Sequence, residues 1–325
     1  MDITSGNNIE TAPKKKKKHK VKPMKLSYEN IWQHRAQYFM LLPCIIFFII
    51  FSYLPMAGMV LAFKEFRFDT GLFGGAWVGF QYFERFFNAP QSWTFIKNTL
   101  IISSMKLILA LPFPIILALM FNEIKNNKIR SFFQSITYLP HFLSWVVVVG
   151  ILQSILAPNT GLLNQVISFF GGDGSTFFLM EEESFHSIMF WSYVWKDIGW
   201  NSIIYFAAIM GISPSLYEAA AIDGANRWRQ IWHITLTGIR PTILILFILS
   251  LGNILSAGFD QIYLLKTPGN AEVSEIIDTY VIRTGLQSGQ FGYATAVGMM
   301  QGIVGLILVL VVNRFSSKKF NTSLW

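Results

Sequence analysis

The chain has 325 residues, of which 53% are hydrophobic and only 14% are charged. Because soluble domains carry about 25% charged residues, this composition excludes an ordinary soluble enzyme or binding protein and predicts a membrane protein. The formal net charge of +8 does not indicate nucleic-acid binding, since one N-terminal block of lysines supplies it: Lys14–Lys18, Lys20, Lys22 and Lys25. Such a block is typical of a solvated arm beside an anionic membrane surface.

The first apolar run starts near Gln37, after this long basic arm. We expect it to be an uncleaved span, because it is too long for the core of a signal peptide. A bilayer-spanning helix needs about 20 mostly apolar residues. Six segments meet this condition: 38–62, 96–121, 132–156, 186–211, 241–264 and 291–313. The sequence therefore predicts an all-α membrane protein with six transmembrane helices.

The distribution of Lys and Arg predicts that both termini face the cytoplasm. In this orientation eighteen basic residues lie in the inner segments and six in the outer connections. The predicted organisation is a basic cytoplasmic arm (1–35), a six-span domain (36–316) with a cytoplasmic loop at 212–240, and a cytoplasmic tail (317–325).

The outer connections carry helical patterns of their own. In the first, aromatic residues recur at three- and four-residue steps: Trp77, Phe80, Phe83 and Phe87. This spacing predicts an amphipathic helix at the membrane interface. We also expect a short helix within 157–185 and a loop followed by a helix within 266–290. Either an extracellular partner or plain interfacial packing explains these surfaces.

No motif for covalent chemistry is found. The sequence has no Walker or other Gly-rich phosphate loop, and its five histidines are scattered without metal-ligand spacing. The single cysteine, Cys44, excludes a disulfide within the chain. We expect a non-catalytic chain without a metal or cofactor of its own.

The segment YEAAAIDGANRWRQIWHI, residues 217–234, is too polar for a span. Gly224 predicts a left-handed turn that ends one helix. A second helix is expected to begin near Asp223–Asn226 and to continue into the fifth span. The segment is thus predicted to be a helix–turn–helix along the inner face of the membrane.

Two starts are possible for the first of these helices. Ser213–Pro214 suits an N-cap followed by proline at the first helical position, and Ser215 with Glu218 offers a competing capping box. Ala219–Ala221 present a nearly flat surface that another backbone or a groove can approach closely. Glu218 beside it either binds a partner's arginine or caps its own helix; the residues alone leave both open.

The stretch EAAAIDGA, residues 218–225, resembles the EAA loop of ABC importer permeases. The resemblance implies the type I permease fold, in which this loop is a coupling helix seated in a cleft of a cytoplasmic ATPase. It implies ATPase-coupling roles for six residues: Glu218, Ala219, Ala220, Asp223, Gly224 and Ala225.

Further stretches resemble the permeases of complex-oligosaccharide importers in the carbohydrate-uptake class. They are FQYFERFF…KNTL (80–100), WKDIGWNSIIYFAAIMGI (195–212), SEIIDTYVIRTGL…GQFGYATAVG (274–298) and NRFSSKKFNTSLW (313–325). The resemblance implies a bacterial plasma-membrane subunit that imports oligosaccharides by alternating access. It also implies its partners: a second permease, two cytoplasmic ATPase subunits that use ATP and Mg, and an extracellular solute-binding protein.

Charged residues within spans are costly to insert and usually face a cavity or a partner. Lys196, Asp197 and Asp260 are the main candidates, with Lys106 as a further one. Lys196 and Asp197 are adjacent, so on a helix they do not face each other. They need separate partners, which a second permease could supply, and Asp260 also suits the outer membrane surface.

In the maltose-type permeases that this chain resembles, the sugar site lies midway in the spans that flank the coupling loop. Polar and aromatic residues suited to sugar hydroxyls and sugar faces occupy matching positions here. The predicted substrate-binding residues are Tyr193, Lys196, Asp197, Trp200, Asn201, Ser250, Asn253 and Phe142. Trp191 and Trp195 suit such a site or an aromatic belt equally. A permease for a non-sugar solute and, less favoured, an ion-coupled transporter are the alternatives.

Overall fold

The computed structural model describes residue 32, residues 34–252 and residues 254–320. Most of the predicted basic arm (1–35) and of the tail (317–325) therefore lies outside the described residues. The chain divides into two compact units, Met1–Ala57 and Gly58–Trp325. Within the described ranges the regular secondary structure is helical, apart from two isolated β-bridges, Lys64–Trp77 and Arg67–Gly71.

The first unit contains an apolar helical segment. Helix α1 (Arg35–Phe48) is followed by a π-helical turn (Ile49–Tyr53) and a short helix α2 (Leu54–Met56). None of these side chains is buried. An apolar helix that buries nothing within its own chain is suited to lipid, because its backbone groups are already paired internally.

The second unit is built from helices of very different lengths. In chain order they are α3 (Gly71–Gly74), α4 (Gln81–Asn88), α5 (Pro90–Ser104), α6 (Pro112–Glu123), α7 (Asn127–Tyr138), α8 (Trp145–Ile155), α9 (Leu162–Phe169), α10 (Glu182–Met210), α11 (Pro214–Ile222), α12 (Arg227–Gln230), α13 (Leu236–Leu251), α14 (Phe259–Leu265), α15 (Ala271–Ser274), α16 (Ile277–Ile282) and α17 (Phe291–Phe320). π-Helical turns at Met105–Leu109, Ile231–Thr235 and Arg283–Gln287 extend α5, α12 and α16.

Four helices are long and apolar enough to cross a membrane: Arg35–Phe63, Pro90–Glu123, Arg227–Leu251 and Phe291–Lys318. Two bent pairs pass the same test together: Asn127–Phe142 with Trp145–Ile155, and Glu182–Met210 with Pro214–Ile222. Each predicted segment overlaps one of these helices or pairs, so the all-α membrane fold is confirmed. The described residues form between four and six spans, depending on whether each bent pair counts as one.

The fifth span differs from its prediction. Residues 241–264 do not form one helix, because α13 ends at Leu251 and α14 begins only at Phe259. Ala257 and Gly258 between them both have positive φ angles, of 48° and 78°, a left-handed conformation that a continuing α-helix does not allow. The helix instead starts earlier, at Arg227, and includes the second helix of the predicted helix–turn–helix.

The third span is bent by 99° between Phe142 and Trp145. Proline cannot donate the backbone hydrogen bond of a helix interior, and Pro140 lies in a 3-10 turn at Leu139–Phe142 that ends α7. Ser144 then caps the start of α8 by accepting a hydrogen bond from the Val147 backbone N–H at 3.4 Å. A polar backbone loop therefore lies where the sequence predicts an unbroken span.

The helices predicted in the outer connections are present as α4, α9 and α16 with its π-helical turn. Helix α4 is shorter than the aromatic pattern predicted, because Trp77 and Phe80 precede its first residue, Gln81. Trp77, Phe80 and Phe87 are exposed, whereas Phe83 is partly buried with its ring centroid 5.6 Å from that of Phe63, and Phe86 is buried. Three of the four predicted aromatic residues thus face outward, as an interfacial segment requires.

Helix α10 is the centre of the second unit. Met189 near its start packs with α8 and α14, Val194 packs with Phe190 and Ala110, and Tyr205 and Ile209 near its end pack with α6 and α13. Because one helix carries all three contacts, the polar residues in its middle are held between the third, second and fifth spans.

Candidate functional site

The EAA-type segment folds as predicted at its turn. Helix α11 begins at Pro214 with Ser213 as its N-cap, so the competing start at Ser215 is wrong. Its end has the pattern of a Schellman motif. The Ala225 backbone N–H donates to the Ala220 carbonyl at 2.8 Å, and the Gly224 N–H donates to the Ala221 carbonyl at 3.1 Å.

Helix α11 exposes its predicted coupling face. It has no buried side chain, and Ile222 is 87% exposed. Glu218 and Ala219 are exposed, and no hydrogen bond or ion pair of the Glu218 carboxylate is found among the described residues. A short, apolar helix with an exposed carboxylate and no partner in its own chain has the properties of a docking element.

The second helix, not α11 itself, is continuous with the fifth span. Asn226 caps it by accepting from the Arg229 backbone N–H at 3.0 Å, and the helix then runs from Arg227 to Leu251. Helix α11 is joined to it across the turn by side chains. The hydroxyls of Tyr217 and Thr235 lie 2.9 Å apart, so a displacement of α11 acts on the start of the span.

We expect Tyr217→Phe to weaken this link without removing the docking surface. A neutral hydrogen bond contributes about 0.5–1.5 kcal/mol net. For a permease of the kind that the sequence resembles, we therefore expect uptake to fall by about 2–10-fold while its ATPase partner still co-purifies. The matched control is Thr235→Val, which removes the other hydroxyl and should have a similar effect. The double variant should be no worse than either single one; losses that add would contradict a shared hydrogen bond.

A cavity of about 380 Å³ lies between the second, fourth and fifth spans. Four of the predicted substrate-binding residues line it: Tyr193, Asp197, Asn201 and Ser250. Lys106, the further charged candidate, lines it as well. The structure therefore brings together residues that lie nearly 150 positions apart in the chain.

Three predicted residues lie beside the cavity and do not line it. Lys196 is buried behind it, and Trp200 and Phe142 are exposed, with ring centroids 5.6 Å apart. Asn253, the remaining predicted residue, lies outside the described residues.

Asp260, the charged candidate of the fifth span, also lies away from the cavity and is exposed. The amide of its neighbour Gln261 is buried and donates to the Met189 carbonyl at 2.7 Å and to the Ser192 hydroxyl at 2.9 Å. Trp191 and Trp195 are both exposed. Their position agrees with a lipid- or partner-facing belt.

His141, which the sequence did not single out, joins Lys196 and Asp197. Lys196 Nζ donates to the His141 carbonyl at 2.7 Å, and Asp197 Oδ1 lies 2.8 Å from His141 Nδ1. The imidazole stacks on Trp200 with a centroid distance of 4.6 Å and an interplanar angle of 2°. Lys196 and Asp197 therefore both have a polar partner within this chain. Both partners are groups of His141, which lies in the bend of the third span.

The sequence did contain a signal for His141, namely an ionisable residue directly after a proline in the middle of a span. Such residues are expensive in lipid and mark buried polar contacts. Here the backbone carbonyl that the bend leaves without a helical partner accepts from Lys196, and the side chain pairs with Asp197. The bend of the third span is thereby attached to the cavity wall.

We expect Asp197→Asn to destabilise the chain, because it replaces the carboxylate that lies 2.8 Å from His141 Nδ1 with a neutral amide. Hydrogen bonds to charged groups contribute roughly 1.5–3 kcal/mol. His141→Phe removes the other partner, so the double variant Asp197→Asn, His141→Phe should lose less thermal stability than the sum of the two single losses, as measured by unfolding of the purified complex. Losses that add would contradict the contact between Asp197 and His141.

Comparisons with known proteins agree with this architecture. A family described as "binding-protein-dependent transport system inner membrane component" matches residues 110–319. The polygalacturonan/rhamnogalacturonan transport system permease protein YteP of Bacillus subtilis (strain 168) is 45% identical over 286 residues, which cover 88% of this chain and 89% of that protein. Protein LplB of the same strain is 40% identical over 284 residues, covering 87% of this chain and 89% of LplB.

A solved structure has the same fold. One chain in the crystal structure of a bacterial alginate ABC transporter, in complex with an alginate pentasaccharide-bound periplasmic protein, superposes with a TM-score of 0.84. It is 42% identical, and the match covers 91% of this chain and 99% of that one. Family, relatives and fold agree over most of the sequence. The chain belongs to the binding-protein-dependent transport system inner membrane components, the non-catalytic membrane permeases of ABC importers.

Proposed function

We propose that this chain is one of two permease subunits of an ATP-driven importer that carries oligosaccharides into the cell. The observation that carries the proposal is the cavity between the spans that flank the EAA-type segment, with Tyr193, Asn201 and Ser250 on its wall. Its volume of about 380 Å³ lies within the usual range of ligand pockets, roughly 300–1,000 Å³. Relatives named for polygalacturonan, rhamnogalacturonan and the acidic polysaccharide alginate support an oligosaccharide substrate.

The chemistry of the cavity wall suits a sugar. A hydroxyl-rich ligand needs many weak hydrogen-bond partners and a flat apolar surface for its C–H faces. Asn201 offers an amide, Tyr193 offers a ring with a hydroxyl, and Asp197 accepts hydrogen bonds from hydroxyl groups. Trp200 and Phe142 stay candidates for contacts along the pathway outside the cavity.

The proposed topology has both termini in the cytoplasm, with the basic arm (1–35), the six-span domain (36–316) and the tail (317–325) as its parts. Helix α11 then lies on the cytoplasmic side, where it would enter a cleft of an ATPase subunit. Glu218 would pair with a basic residue of the ATPase, Ala219 and Ala220 would lie against its groove, and Asp223–Ala225 would form the turn.

The proposed mechanism is alternating access. ATP binding closes the two ATPase subunits and draws the coupling helices together, and Tyr217 and the helix from Arg227 pass this movement to the fifth span. The outer mouth opens to accept the sugar from a solute-binding protein, and ATP hydrolysis restores the inward-facing state. ATP and Mg are used by the ATPase subunits, and this chain itself supplies the pathway.

The test is uptake into proteoliposomes that contain this chain, the second permease and the ATPase, with the solute-binding protein added outside. We expect oligosaccharide uptake that requires both ATP and the solute-binding protein. Uptake of amino acids, phosphate or metal ions with no uptake of any oligosaccharide would overturn the substrate class. Uptake without ATP but with an ion gradient would overturn the proposed energy source.

A further inference from the structure

Lys106 is the cavity residue to which the proposed mechanism gives no role. It lies in the π-helical turn that follows α5 and lines the cavity. Its Nζ donates to the Ala257 carbonyl at 2.8 Å and lies 5.1 Å from the centroid of the Tyr193 ring. An ammonium group has three N–H donors, so the bond to Ala257 leaves donor capacity for a ligand in the cavity.

The position of this ammonium is fixed by the break in the fifth span. Gly258 has a φ angle of 78°, and a Cβ atom placed there would lie only 2.4 Å from Lys106 Nζ. The carbonyl that binds the ammonium belongs to Ala257, whose φ is also positive, at 48°. A left-handed turn without a side chain at Gly258 therefore leaves room for the charged group at the cavity wall.

The charges around the cavity are not paired with each other. Lys106 and Asp197 are the charged residues among its described lining residues. The Asp197 carboxylate lies 2.8 Å from His141 Nδ1, whereas no ion pair of the Lys106 ammonium is found among the described residues. Lys106 therefore presents a cation to the cavity without a carboxylate of its own chain at ion-pair distance.

We propose that Lys106 recognises a carboxylate of the transported sugar, so that the cavity selects oligosaccharides that contain uronate residues. This inference rests on the proposed function and specifies its substrate class. A charge-assisted hydrogen bond from Lys106 Nζ to a carboxylate gives the ammonium an ion-pair partner in a site of low dielectric. A neutral sugar supplies no such partner. Lys106 is therefore a specificity-determining residue for transport.

The experiment compares two probes in the complete reconstituted transporter: trigalacturonate and its fully methyl-esterified, neutral form. The variants are Lys106→Met, which keeps length but removes charge, Lys106→Arg, which keeps charge, and Lys97→Met. Lys97 is the matched control, because it is an exposed lysine on the same helix and lies away from the cavity. Thermal stability of each purified complex is measured in parallel.

We expect Lys106→Met to lower trigalacturonate uptake at least tenfold, with uptake of the neutral ester within twofold of the unmodified protein. Lys106→Arg should retain more trigalacturonate uptake than Lys106→Met, and Lys97→Met should retain full uptake of both probes. If the unmodified transporter imports only trigalacturonate, the two Lys106 variants are compared for uptake of that probe. Uptake kept by Lys106→Arg and lost by Lys106→Met supports the proposal, and loss of uptake in both variants overturns it.

Other outcomes reject carboxylate recognition directly. An equal loss of both probes in Lys106→Met, accompanied by lower thermal stability, would show that Lys106 only braces the break at Ala257. Full trigalacturonate uptake by Lys106→Met would also overturn it, as would import of the neutral ester alone by the unmodified protein. These results would reject carboxylate recognition by Lys106 without contradicting oligosaccharide import. Failure of the unmodified transporter to import any oligosaccharide would reject the proposed function itself.

Discussion

Glu218→Arg is expected to abolish uptake while the chain still inserts into the membrane and folds. The side chain is exposed on α11, a helix that buries none of its residues, so the substitution disturbs no core. In the docking mode that we propose, reversing the charge replaces an attraction to a basic residue of the ATPase with a repulsion. Hydrogen bonds to charged groups contribute roughly 1.5–3 kcal/mol, so the ATPase should bind about 10–100-fold more weakly, or not at all.

The measurements are membrane insertion, co-purification of the ATPase and ATP-dependent uptake. Glu218→Gln keeps the shape of the side chain and removes only its charge, so its effect should be intermediate. Glu84→Arg is the control for charge reversal, because Glu84 is an exposed acid on α4, outside the coupling segment. Unchanged uptake by Glu218→Arg would show that α11 does not dock through this carboxylate.

Gly199→Ala is expected to damage folding severely. A Cβ atom on Gly199 of α10 would lie 2.0 Å from the Thr137 carbonyl oxygen and 2.4 Å from the Thr137 carbonyl carbon of α7. Backbone atoms cannot rotate away as side chains do, so the third and fourth spans must separate. Overpacking commonly costs about 1–3 kcal/mol, and a clash with rigid backbone belongs at or above the upper end of that range.

The consequence should extend to the cavity, since the bend that carries His141 follows Thr137 by one turn. We expect little monodisperse protein after purification and no uptake from what remains. Gly298→Ala is the control, because a Cβ atom there has nothing within 4 Å, and alanine is favoured over glycine in a helix by about 1 kcal/mol. Equal yields of the two variants would contradict the close approach of the two spans at Gly199.

The EAA-type segment shows how much local sequence can predict. Gly224 at the end of the helix follows from backbone chemistry alone, and the structure has it. The residues leave the start open between Ser213–Pro214 and Ser215, and the role of Glu218 open between a cap and an exposed carboxylate; the structure begins the helix at Pro214 and exposes Glu218. The hydrogen bond between Tyr217 and Thr235 could not be predicted, because it joins residues on either side of a turn whose geometry local propensity does not define.

For the membrane spans, local sequence predicts where the helices lie but not where they bend or end. Hydropathy locates all the apolar segments, since about 20 apolar residues are enough to identify a helix that can cross a bilayer. It does not detect the 99° bend of the third span or the end of α13 at Leu251. Both occur within apolar stretches, where neighbouring helices and side chains satisfy the backbone groups that the breaks release.

By itself the sequence determined the class of protein, the position of the apolar segments and the coupling segment, because composition, helical periodicity and turn chemistry are local properties. The tertiary structure decided which polar residues meet. It placed Tyr193, Asp197, Asn201 and Ser250 with Lys106 on one cavity, and it turned Lys196 away toward His141. Partners of buried charges are chosen by the packing of whole helices in three dimensions, and one sequence does not contain that geometry in any local pattern.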